Sequence, residues 1–150
     1  MYKRQVIVDE AHAIEDVRLF EQMRLILNFQ SEARFLLTLL ILGQPELKKK
    51  TEALKPLDQR IAVRCHLEPL KEEEVGKYIN HRLKVAGWQG SSENSFFNKD
   101  ALKIIYQHSA GIPRRINTLG DLILMSGFAK KEKNIDVDFI KSVIKDFNLG

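Results

Sequence analysis

Tyr2–His12 reads YKRQVIVDEAH: three β-branched apolar residues, Val6, Ile7 and Val8, run directly into Asp9 and Glu10. A short continuous apolar run between charged flanks is the pattern of a strand buried on both faces. A parallel strand that ends in paired carboxylates places them where open α/β sheets bind ligands. The first carboxylate can hold a magnesium ion, directly or through water. The second projects beyond the strand end and can polarise an attacking water. The alternative is a strand that ends in a polar turn and caps the next helix, and VIVDE alone leaves both readings open.

Outward from this stretch the chain alternates. Asp16 to Phe29 carries Leu19, Phe20, Met23, Ile26 and Leu27 as a helical stripe. Phe35–Leu42 is a second continuous apolar run, closed by Gly43 and Pro45, and reads as another buried strand. Pro45–Leu54 reads as a helix with proline in its first turn. Leu57–Ile61 reads as a short helix or turn, and Ala62–Leu67 as a third strand. Strand, helix, strand, helix, strand is the order of a parallel sheet with helical crossovers.

After Pro69 no strand is evident. Glu72, Glu73 and Glu74 suit the start of a helix over Lys71–Ala86. Gly87–Ser95 reads as a loop holding Trp88, which either packs locally or serves as an interaction residue. Asn98 is a candidate cap for a helix with Leu102, Ile105 and Tyr106 inward. Ala110–Pro113 ends that helix and opens another with Ile116, Leu119 and Ile123 inward. Asp136 is a candidate cap for a last helix with Ile140, Val143 and Phe147 inward. The boundary falls near Glu68–Leu70. Residues 1–68 form a partial α/β unit, and residues 69–150 an all-helical one.

Composition narrows the function classes. The chain has 150 residues and a net charge of +4, with 44% apolar and 29% charged residues. Eleven Lys and Arg against ten Asp and Glu give residues 1–68 a charge of +1; thirteen against ten give residues 69–150 +3. Neither half argues nucleic-acid binding from charge. The lone Cys65 excludes an intramolecular disulfide and a multi-cysteine metal site, and fits a reducing compartment. The longest apolar run, Phe35–Gly43, is far short of the ~20 residues a membrane helix needs. A soluble, cytoplasmic domain is expected.

Three further positions carry chemistry. Gln44 protrudes at the same sheet edge as Asp9 if the two strands are neighbours, and its amide can both donate to a phosphate oxygen and accept from water. The alternative there is a plain strand-to-helix turn. Arg60 precedes the third expected strand and can reach a nucleotide on a neighbouring subunit. Its alternative is a surface ion pair with Asp58 or Glu68. Arg114 stands in the first turn of a helix and can clamp phosphate; Arg115 lies about 100° further around, and both can equally be solvated. His12, His66, His81 and His108 show no metal-ligand spacing and read as structural. Lys48–Lys50 reads as a solvated helix face.

Each signal is short, but their order is distinctive. VIVDEAH, LLILGQPEL, LDQRIAVRCHLEPLKEEEVGKYINHRLKVAG and GIPRRIN together resemble the AAA+ ATPases of the general secretion pathway protein A (ExeA-type) group, from Val6 to about Gly127. The resemblance implies a partial P-loop nucleoside triphosphatase sheet followed by a helical lid. It implies a Walker B motif with Asp9 toward the metal and Glu10 as catalytic base, and a sensor 1 at Gln44. Arg60 becomes an arginine finger and Arg114 a sensor 2 toward ATP. The implied cofactors are ATP and Mg²⁺. The implied partners are further subunits of a homo-oligomeric ring and a secretion or envelope-assembly protein, with the parent at the inner membrane. Transposition and exopolysaccharide ATPases share this layout.

One element of the pattern is missing. Nothing matches G-x-x-x-x-G-K-[ST]; the Gly76–Lys77 pair is followed by Tyr78. The backbone nest and lysine that cradle phosphates are therefore absent from these residues. The resemblance places them upstream and implies the C-terminal part of an ATPase, inactive by itself, whose phosphate-loop strand lies between the second and third strands. The other reading is a protein- or DNA-binding module without a phosphate loop.

Overall fold

A computed structural model describes residues 4–28, 30–31, 34–90, 95–132 and 134–148. The chain divides into two compact units, Met1–His66 and Leu67–Gly150.

In the first unit, β1 (Arg4–Val8) pairs in parallel with β4 (Leu37–Ile41), with Arg4 opposite Leu37 and Val8 opposite Ile41. Parallel neighbours need a long crossover. Here it runs through a 3-10 turn at Ala11–Ala13 and helix α1 (Val17–Ile26). The Asp16 carboxylate caps α1 by accepting from the Arg18 N–H at 2.9 Å. The crossover also contains a two-residue antiparallel pairing, β2 (Gln30–Ser31) with β3 (Arg34–Phe35), which the sequence pattern did not announce. The run expected as one strand over Phe35–Leu42 is thus split at Leu36. After β4 come α2 (Glu46–Ala53) and the single-turn α3 (Lys55–Asp58). Ala11, Phe20 and Leu57 form the buried centre, with Val8, Met23, Ile41 and Leu47 packed around it.

Two expectations about this unit do not hold. The strands are not buried on both faces: along β4, Leu37, Leu39 and Ile41 are half-buried while Leu40 is exposed, and in β1 Val6 and Ile7 are exposed. Along β4 the described residues partly cover one row of side chains and leave the other open, and along β1 only Val8 is partly covered. The third strand, Ala62–Leu67, does not form; residues 61–70 carry no regular structure, and Val63 and Leu67 are 82% and 86% exposed. An isolated extended segment leaves its backbone donors and acceptors unpaired by any ladder, and neither side of the β1–β4 pair takes it up.

The regular structure among the second unit's described residues is all helical: α4 (Glu72–Val85), α5 (Lys99–Ser109), α6 (Pro113–Lys130) and α7 (Val137–Asp146). Each start has a local cause. The Glu74 carboxylate accepts from the Lys71 N–H at 2.8 Å. Asn98 and Asp136 accept from the N–H groups of Ala101 and Phe139, both at 2.8 Å. Pro113 opens α6 at a position that loses no hydrogen bond by having no N–H. The helices bury Val75, Ile79, Phe97, Ile105, Ile116, Ile123, Ile140 and Val143 against one another. Phe147, expected inward, follows the end of α7 and is half exposed. Trp88 packs locally, edge-on against Phe96 with ring centroids 5.9 Å apart. Phe29 and residues 91–94, read as a helix end and part of a loop, lie outside the described residues.

Candidate functional site at the strand ends

The β1–β4 ladder continues past both strands. The Leu42 N–H donates to the Val8 carbonyl and the Ala11 N–H to the Leu42 carbonyl, each at 2.8 Å. This pairing carries Asp9 and Glu10 to the carboxyl end of β1 and Gln44 to the same edge, just past β4. To leave the strand, Glu10 takes a left-handed backbone, φ 53° and ψ 30°, which costs a non-glycine residue about 1–2 kcal/mol. The Glu10 N–H donates to Asp9 Oδ1 at 2.8 Å, so one oxygen of Asp9 closes the turn while Oδ2 is not used by it.

His12 stands at the centre of this edge. Its Nδ1 accepts from the Gln44 N–H at 3.3 Å, and its Nε2 lies 3.5 Å from Glu10 Oε2. The His12 side chain is 18% exposed, that of Glu10 70%. Gly43 makes the approach feasible: a Cβ there would lie 3.0 Å from the His12 backbone nitrogen and 3.3 Å from Nδ1. Lys50 of α2 completes the edge, its ammonium donating to the carbonyls of His12 and Ile14.

Of the residues singled out from sequence, Asp9, Glu10 and Gln44 therefore share one edge. Arg60 is exposed and follows α3, its N–H bonded to the Leu57 carbonyl at 2.9 Å. Asp58, one of its two alternative partners, pairs with Arg64. Arg114 is exposed in the first turn of α6, in the other unit, and its carbonyl accepts from Thr118 Oγ1 at 3.0 Å. His12 and Lys50 were not assigned to the site by the sequence. Lys50 is not the solvated residue expected: it follows half-buried Leu47 by three and precedes buried Thr51, so it lies on the inward stripe of α2.

The donor chemistry suits a hard divalent cation only in part. Among the described residues no group of three or more His, Cys, Asp or Glu could hold a metal ion. Magnesium retains waters and takes one or two carboxylates together with substrate phosphates. One free oxygen of Asp9 beside Glu10 fits that arrangement, with the phosphates supplying the rest. No helix among the described residues is long and apolar enough to cross a membrane.

No family model matches the chain. General secretion pathway protein A of Aeromonas hydrophila is 38% identical over 133 residues, which make up 87% of this chain; the chain spans 23% of the length of that relative. Among solved structures, a lysine-to-arginine mutant of Thermotoga maritima RuvB superposes with a TM-score of 0.69 at 18% identity, over 96% of this chain and 45% of that one. RuvB is an AAA+ ATPase. The resemblance read from the sequence is borne out on both counts: most of this chain is similar to general secretion pathway protein A, and its fold is that of RuvB.

Proposed function

We propose that these residues form part of an ATP-hydrolysing machine, with residues 1–68 completing its nucleotide-binding domain and residues 69–150 forming its helical lid. The observation that carries this reading is the convergence of Asp9, Glu10 and Gln44 at the carboxyl ends of two adjacent parallel strands. Bound Mg²⁺ would neutralise charge on the β- and γ-phosphates of ATP. Toward it Asp9 offers Oδ2, its other oxygen being committed to the Glu10 N–H. Glu10, exposed and beyond the strand end, accepts a proton from water. Gln44 offers an amide that donates to a phosphate oxygen. Arg60 supplies positive charge to a nucleotide on the neighbouring subunit of a ring, and Arg114 supplies it from the lid. In this proposal the parent couples the cycle to assembly of a secretion or envelope complex from the cytoplasmic side of the membrane; what supports a place in secretion is the similarity to a general secretion pathway protein.

The test is turnover by a longer protein that joins these residues to a phosphate-binding loop. Mg²⁺-dependent ATP hydrolysis abolished by Glu10→Gln is expected. Hydrolysis indifferent to that change would remove Glu10 from the reaction. Absence of hydrolysis, with a partner retained on the isolated chain, would favour a binding module without a phosphate loop.

A further inference from the structure

We infer that His12 is a positioning residue that ties the Glu10 carboxylate to the turn at Gln44. The hydrogen-bond network assigns its tautomer. A ring nitrogen that accepts a backbone N–H carries no proton, so the neutral ring bears its proton on Nε2. Nε2 is the nitrogen that faces Glu10, at 3.5 Å, while Nδ1 faces the Gln44 N–H, at 3.3 Å. A single tautomer thus presents an acceptor to β4's end and a donor to the carboxylate.

The ring is held from several sides. Gly43 leaves no side chain where a Cβ would press on Nδ1 and on the His12 nitrogen. Lys50 fixes the carbonyl of His12 itself. Glu10 has no comparable packing; its side chain is mostly exposed, and its backbone already sits in the left-handed region. The direction of the carboxylate is accordingly set by the imidazole, and a shift of the Gly43–Gln44 turn moves the imidazole with it. The consequence for turnover rests on the proposed role of Glu10 as base; the coupling itself does not.

The coupling is tested on the chain as it stands, by nitrogen-15 spectroscopy of the neutral His12 ring. An unprotonated, hydrogen-bonded Nδ1 and a protonated Nε2 are expected, and the opposite tautomer would overturn the inference. Gly43→Ala should displace the Gln44 amide signal and the Glu10 carboxyl carbon signal together, with the helical unit's amide spectrum unchanged as a check on folding. A Glu10 signal that stays in place while Gln44 moves would also overturn it.

A longer protein carrying a phosphate loop supplies a separate arm. His12→Asn keeps an amide oxygen near the position of Nδ1 but has nothing that reaches Glu10. It should therefore lower kcat as much as His12→Ala does, by about 10-fold or more, with KM for ATP unchanged. Normal kcat in His12→Asn would leave His12 a purely structural role. If the unaltered protein shows no turnover, the ATPase reading fails, and the ring spectroscopy still decides the coupling.

Discussion

Leu70 and Gly111 approach each other through their backbones. The Leu70 N–H donates to the Gly111 carbonyl at 2.9 Å, and a Cβ on Gly111 would stand 1.9 Å from the Leu70 carbonyl oxygen. Gly111 also has φ +71°, directly after Ala110 at φ 50°. The chain entering α4 is thus laid against the turn between α5 and α6, at a point that only glycine admits. Gly111→Ala adds backbone strain and a clash that no rotamer relieves, and should destabilise the helical unit by about 2 kcal/mol or more. Chemical denaturation of wild type and variant measures this directly; equal midpoints would show that the turn can shift without cost.

Residues 67–150 are expected to fold without the first unit. Their helices bury Ile105, Ile116, Ile123, Ile140 and Val143 among themselves, and their starts at Glu72, Lys99 and Val137 are capped from within the same segment. The isolated segment should give a helical circular-dichroism spectrum and a cooperative melt. Ile140→Ala, at a fully buried position, should lower its stability by about 2–5 kcal/mol. A disordered spectrum for the unsubstituted segment would refute its independence.

This contrast between the units also explains what was legible in the sequence. Asn98 and Asp136 cap helices as read, because a cap depends on a side chain and backbone groups three residues away. The inward residues of α5 and α6 followed from spacing alone. Ala62–Leu67 failed as a strand because a strand exists only through its neighbour, and alternation says nothing about whether one is present. At the candidate site, Asp9 and Glu10 announced themselves as adjacent carboxylates after an apolar run. His12 did not, because its partner Gln44 is 32 positions away and contributes a backbone N–H. Lys50 was obscured by two neighbouring lysines, although the inward face of its helix marks it.

The N-cap of α1 provides a titration test. Arg18 Nε donates to both oxygens of Asp16 and Nη2 to Oδ2, and the Arg18 N–H adds a bond to Oδ1. The side-chain bonds first, and the backbone bond second, hold the Asp16 pKa below its ordinary 3.8. A depressed carboxylate favours the fold above the unfolded value, and that contribution disappears as pH falls through the folded one. Carbon-13 titration should place the Asp16 midpoint below 3.8, and Arg18→Ala should raise it while the backbone bond remains. An unchanged midpoint in Arg18→Ala would show that the guanidinium does not act on Asp16.

The 150-residue chain alone is expected not to turn over ATP. Asp9 and Glu10 can serve a metal and a water only when the triphosphate is already held, and no G-x-x-x-x-G-K-[ST] loop is present to hold it. Purified chain should show no phosphate release above buffer. Mg²⁺-dependent release that Glu10→Gln removes would overturn this expectation.

In the proposed ring, Glu10 and Arg60 are assigned to nucleotides of different subunits, and this makes a prediction about mixtures. Glu10 stands at the strand end beside Asp9, and in this proposal it serves the nucleotide held by its own subunit. Arg60 follows α3, exposed, with Asp58 already taken by Arg64. Its guanidinium is therefore placed in the reading given above to reach outward to a neighbour. Glu10→Gln should silence the subunit's own site, whereas Arg60→Ala should silence the adjacent one. Each variant alone is inactive, since every interface lacks one of the two groups. Mixed rings contain some interfaces at which an intact Glu10 faces an intact Arg60, and at those the stabilising arginine restores a contribution of about 10³-fold or more. Activity should therefore return on mixing, reach its maximum near equal proportions, and fall when either variant is in excess. Were both groups to act on the same subunit's nucleotide, no mixture would contain a complete site. Mixtures that stay as inactive as either variant, with mixed assembly verified by differential labelling, would assign Arg60 to its own subunit or to no catalytic role.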